Sequence, residues 1–147
     1  MKAIFPCVIL IFLALAAAPG VARADETDAQ VAAHRTVLDL AGAFTNDGFK
    51  LRDSDFTGTL KPGEAAVVQV NLYAGNQYWF SVATADPATM VSINLYDETG
   101  KLLKADPFTN LNRAASGFSP DSSGPYYVRV VNIGTSPATF CLIYSYK

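Results

Sequence analysis

Histidine and tryptophan occur once each among the 147 residues, and cysteine only twice. The lone histidine, His34, stands beside Arg35 in a helical stretch. A serine or cysteine nucleophile needs a base that a third group orients, and one solvated histidine does not supply that arrangement. A tetrahedral zinc set built from histidine and cysteine fails on ligand count. No run of like charge, low-complexity tract or internal repeat interrupts the chain. Basic residues number 11 against 13 acidic ones. Such a balance excludes the cationic surface on which nucleic-acid binding and adhesion to anionic lipid depend.

The one long apolar stretch, "AIFPCVILIFLALAAA", lies directly after Met1 and Lys2. It contains Pro6 and runs into "PGVARA", where Ala22 and Ala24 provide the small-x-small pattern of signal-peptidase cleavage. Residues 1–24 are therefore expected to be a signal peptide, with Asp25 as the new N-terminus, export to the periplasm or medium, and no stable membrane insertion afterwards. Cleavage removes Lys2 and Arg23 but no acid, which takes the net charge from −2 to −4. The 123 residues that remain suffice for one domain with one core. Cys7 leaves with the leader, so Cys141 has no intramolecular mate and is expected to act as a small, half-buried apolar residue.

Residues 25–46 carry one amphipathic helix. Thr27 and Gln30 fit a capping box. Val37, Leu40, Ala41 and Phe44 recur at helical spacing, joined upstream by Val31 and Leu38. "TNDG" ends the helix, with Asn46 or Gly48 placed for the left-handed turn.

Residues 47–147 read as short strands separated by turn chemistry. "AVVQVNLY" alternates, Ala66, Val68, Val70 and Leu72 on one side and Val67, Gln69, Asn71 and Tyr73 on the other. Val91, Ile93 and Leu95, then Tyr126, Val128 and Val130, then Phe140, Leu142 and Tyr144 continue the inward set, and a further strand is expected around Arg113–Phe118. "DETG" has the Asp and Gly of a type I turn. No connection is long enough for the crossovers of a parallel sheet. The fold class is all-β: an antiparallel, jelly-roll-like sandwich with one N-terminal helix packed on it.

From about Phe56 onward, "FTGTLKPGEAAVVQVNLYAGNQYWFSV", "INLYDETGKLL" and "GFSPDSSGPYYVRVVN" follow one another in an order that resembles the bacterial pre-peptidase C-terminal (PPC-like) domain. The resemblance implies a β-sandwich of the kind attached to secreted proteases; some related collagenase domains bind collagen and calcium. Here a helix stands where the peptidase partner usually lies, and the acid that often opens the third strand is absent from "ATMVSI".

Within "QYWFSVA", alternation sends Tyr78, Phe80 and Val82 inward and Gln77, Trp79 and Ser81 outward. With Gln69, Asn71, Asn94, Tyr96, Tyr127 and Arg129 also outward, neighbouring strands would make an aromatic platform with amide and guanidinium donors. Trp79, Tyr96, Tyr127 and Arg129 are the expected ligand contacts, for a polysaccharide or protein partner. The helix needs an apolar seat as well, and Trp79 would serve equally as that seat or as part of an open binding face. Asp53 and Asp55 offer two oxygens where calcium takes six or more, so they read as solvated acids, and no cofactor is expected. The function expected is an exported, non-catalytic binding sandwich. The alternatives are an interaction protein that docks through its helix, onto itself or onto a separately encoded protease, and a carboxylate hydrolase, which would need a deep cleft with two converging acids.

Overall fold

The computed structural model describes residues 26–147, so the expected leader and its cleavage lie outside the described residues. Helix α1 (Asp28–Thr45) starts on the capping box: the Gln30 backbone N–H donates to the Thr27 hydroxyl at 3.2 Å, and the Thr27 N–H donates to Gln30 Oε1 at 2.8 Å. Gly48, at φ +88°, takes the left-handed position after the helix, and Asn46 stays right-handed. Ala33, Val37, Leu40 and Ala41 are buried, whereas Val31 and Leu38, expected in the stripe, are each 40% exposed. Helical rotation of about 100° per residue explains the difference. It centres the buried face on Ala33, Val37 and Ala41 and swings Val31 and Leu38 well to one side.

Eight strands follow: β1 (Lys50–Leu60), β2 (Ala65–Leu72), β3 (Tyr78–Thr84), β4 (Val91–Tyr96), β5 (Asp106–Asn110), β6 (Arg113–Phe118), β7 (Gly124–Asn132) and β8 (Ala138–Tyr146). They form a five-stranded sheet in the order β1-β8-β3-β6-β5 and a three-stranded sheet in the order β2-β7-β4, every pairing antiparallel. Asp53 and Asp55 therefore lie within a strand. The β1–β8 register slips between Leu51 and Asp55, which accommodates them. β5, which the sequence reading missed, is an edge strand exposed along its whole length, with Pro107 in it.

Between the sheets lies the core expected from alternation. Tyr78, Phe80, Val82, Leu95, Val128, Val130, Phe140, Leu142 and Tyr144 are buried together, and Ala66, Val68 and Ile93 pack at its margin. The five-stranded sheet is buried on its outer side too. There β3 and β8 present Ala83, Cys141 and Ile143, on which Ala33, Val37 and Ala41 of α1 rest. Alanines on the helix and small residues on the strands let helix and sheet approach closely. Complete burial of Val37 or Ile143 contributes roughly 1.5–3 kcal/mol each.

Cys141 lies wholly inside this second cluster. Burial, reinforced by the negative charges of Asp55 and Glu26, pushes its thiol up to about 12, so it stays protonated and inert. Ser81 and Ser145, on the same covered face, hold hydroxyl groups without a hydrogen-bond partner. An orphaned buried hydroxyl is costly, whereas its removal is not. Ser81→Ala is thus expected to leave stability unchanged or to raise it by up to about 1 kcal/mol, read as a rise in urea midpoint.

Candidate functional site

The three-stranded sheet carries no helix on its outside, and strand register specifies what it shows there. Gln69, Tyr127 and Tyr96 lie in one row across β2, β7 and β4, and Val67, Arg129 and Asn94 in the next. Cross-strand neighbours on one face stand about 4.5–5.5 Å apart at Cβ. Two phenol rings, one guanidinium and two amides are thereby collected on six adjoining positions.

Val67, Tyr96, Tyr127 and Arg129 line a shallow hollow of about 290 Å³, bounded by the turn Asp97–Gly100. That turn is firmly built. The Asp97 carboxylate accepts from the Thr99 hydroxyl at 2.6 Å, the Thr99 N–H at 2.9 Å and the Lys101 N–H at 3.0 Å. The Thr99 hydroxyl and then the Lys101 N–H hold this carboxyl below the usual range, so it serves as a fixed acceptor for the turn. Glu98, next along, points no such bonds inward and borders the hollow. Across the turn lies a second, more polar hollow of about 230 Å³ with Ser122 and Ser123 on its wall.

Arg129 is half-buried on β7, and the ion pair found among the described residues, His34 with Glu26, lies elsewhere. A guanidinium has five N–H donors, and here they face an open hollow. Val67, 61% exposed between these polar groups, is an apolar contact that sequence reasoning left out. Its signal was present in the alternation of "AVVQVNLY", where it is the one apolar residue on the outward side before Tyr73.

Trp79 is not part of this surface. It lies on β3, in the other sheet, with its ring stacked on Phe44 of α1 at 4.3 Å between centroids and 9° between planes. On its other side is Gly117 of β6, where an added Cβ would come within 2.9 Å of the indole. The platform expected to unite Trp79 with Tyr96, Tyr127 and Arg129 is therefore divided. Alternation gives the face of each residue but not its sheet, and Trp79 and Tyr127 project from opposite sides of the sandwich. Its half-buried ring fills the gap between the end of α1 and β6, as the alternative reading of a helix seat required.

Asp53 and Asp55, expected as solvated acids serving a turn, are instead exposed on strand β1 at its register slip. Among the described residues, no helix is long and apolar enough to cross a membrane.

No family model matches the sequence, and no curated protein matches it. Among solved structures, the pre-peptidase C-terminal domain of the collagenase from Bacillus anthracis aligns with a TM-score of 0.51 at 19% identity, over 62% of this chain and 87% of that one. A de novo designed double-stranded β-helix also aligns, over 62% of this chain and 97% of that one at 16% identity, but its TM-score of 0.36 is too low to inform the fold. The chain thus has the fold of a pre-peptidase C-terminal domain, a two-sheet antiparallel sandwich, with α1 added to its larger sheet.

Proposed function

We propose that the protein is an exported, non-catalytic binding module that recognises an uncharged polysaccharide through the outer face of its three-stranded sheet. The observation that carries this reading is Arg129, which forms no ion pair among the described residues, set beside Tyr96 and Tyr127 in an open hollow. Tyrosine rings and Val67 offer apolar area for a sugar face, and the amides and guanidinium fix its orientation. Glu98 borders the same hollow as Arg129, so the site holds both an acceptor and a donor. Sugar hydroxyls serve both at once. An anionic polymer would meet Glu98, Asp97 and the acidic excess of the whole chain. The two hollows either side of the Asp97–Gly100 turn suit an extended chain better than a single small molecule.

Docking through the helix has less to support it, because the buried face of α1 is already taken by β3 and β8. A carboxylate hydrolase has less still: Asp97 is engaged in its turn, and the hollow beside Glu98 is shallow.

Binding should be measured by calorimetry and by co-sedimentation, with neutral glucans and chitin oligosaccharides as probes and extended peptides as a comparison. Tyr127→Ala and Arg129→Ala are each expected to weaken glycan binding about tenfold or more, equivalent to about 1.4 kcal/mol, with the fold intact by circular dichroism. Equal binding by wild type and both variants would remove the site, and a preference for the peptides would replace the ligand class.

A further inference from the structure

The edge of the helix that faces β1 gathers three metal-binding side chains from distant points of the sequence. Glu26 precedes the N-cap, His34 is two turns into α1, and Asp55 projects from β1 on the helix side, paired with Ile143. One donor atom from each lies within 4.8 Å of the other two, and His34 Nδ1 is 4.0 Å from Glu26 Oε1. Three local features converge to create this meeting. The capping box fixes the path of the chain at Thr27, which places Glu26 over the first turns. Helical rotation puts His34 on the flank of the buried stripe toward β1, as does the contact between Gln30 Nε2 and Thr57 Oγ1 at 3.5 Å. The register slip ends at Asp55 and presents its carboxylate to the helix.

Electrostatics leave this cluster short of positive charge. Arg52 and Asp53 line the adjoining hollow of about 190 Å³, yet among the described residues no lysine or arginine forms an ion pair with Glu26 or Asp55. Two carboxylates held this close repel each other unless a cation sits between them. Among the described residues, His34 is the one basic side chain in contact with these carboxylates, and a bound metal would supply positive charge between them.

We propose that Glu26, His34 and Asp55 bind one first-row transition-metal dication of the Zn²⁺ type, which ties the start of α1 to β1. One imidazole nitrogen and two carboxylate oxygens make a borderline donor set that suits zinc and its neighbours, not the all-oxygen shell that calcium requires. Bonds of about 2.1 Å in tetrahedral array place donors about 3.4 Å apart. The three side chains must therefore draw in by roughly 1 Å, and rotation of the exposed Glu26 and Asp55 side chains covers that distance. Solvent completes the coordination. The site is independent of the polysaccharide face, which lies on the other sheet.

The test is calorimetric titration of the purified, chelator-treated protein with Zn²⁺, together with thermal melts in Zn²⁺, in Ca²⁺ and in EDTA. One Zn²⁺ per chain is expected, with a rise in Tm of several degrees that EDTA reverses and Ca²⁺ does not reproduce. His34→Ala and Asp55→Asn should each weaken binding about tenfold or more while keeping the far-ultraviolet spectrum, and Cys141→Ser should bind as wild type. Absence of Zn²⁺ binding, affinity unchanged in both His34→Ala and Asp55→Asn, or an equal shift with Ca²⁺ would overturn the proposal.

Discussion

Trp79→Ala is expected to lower the stability of the protein by about 2–4 kcal/mol, a fall in Tm on the order of 10 °C, while leaving polysaccharide binding as it was. The indole is held between the Phe44 ring and the Cα of Gly117, and its loss opens a gap at the junction of α1, β3 and β6. Complete burial would put the cost at the top of the range for large-to-small changes. The ring is only half-buried, which brings the figure down. Removal of the parallel stack with Phe44 adds about 0.5–1.5 kcal/mol of aromatic interaction to the loss of burial. The two readouts separate a structural role from a recognition role. Unchanged stability with abolished binding would return Trp79 to the recognition surface.

Asn132→Ala is the second large effect, at about 3 kcal/mol. Asn132 is fully buried at the end of β7, and its side chain makes three hydrogen bonds. Nδ2 donates to the carbonyl of Leu60 at 3.0 Å and of Ser136 at 2.8 Å, and Oδ1 accepts from the Gly134 N–H at 2.9 Å. Leu60 ends β1 in the five-stranded sheet, so one amide joins the edge of one sheet to the centre of the other and shapes the β7–β8 connection. Alanine leaves those backbone groups short of a partner at a site closed to water, where each orphan costs about 1–3 kcal/mol before relaxation. Asn132→Asp should be worse, since it loses both donations and buries a charge. Equilibrium urea unfolding measures both, and a loss below about 0.5 kcal/mol for Asn132→Ala would show that the side chain is not the joint between the sheets.

The two-residue period accounts for most of what could be read in advance. Phe80, Val82, Val128 and Leu142 reach the core because each follows an alternation that a strand cannot escape, and Thr27 with Gln30 announces the helix start by chemistry alone. Even the cover on one sheet leaves a trace. "YWFSVAT" and "TFCLIYSY" are nearly free of charged residues on both sides, the composition of strands buried twice, whereas "YYVRVVN" and "AVVQVNL" interpose Arg129, Gln69 and Asn71 on the open side.

What periodicity does not carry is the assignment of strands to sheets. Trp79 and Tyr127 are equally outward, yet pairing of β3 with β8 and of β2 with β7 sends them to opposite surfaces. β5 stayed hidden because an exposed edge strand containing Pro107 has no apolar alternation to show. The meeting of His34 with Asp55 depends on the docking angle of α1, a tertiary property set by Ala33, Ala41 and their small partners, and no local spacing encodes it.

Helix α1 closes one face of the sandwich, and the face proposed for recognition is the other. Because Trp79 is the sole tryptophan, acrylamide quenching of intrinsic fluorescence reports on that closure directly. Quenching is expected to be several-fold weaker in the folded protein than in urea, and to increase clearly in Phe44→Ala, where one wall of the indole's seat is gone. Quenching in the native protein as efficient as in the unfolded chain would show the tryptophan face to be open, and would contradict closure by α1.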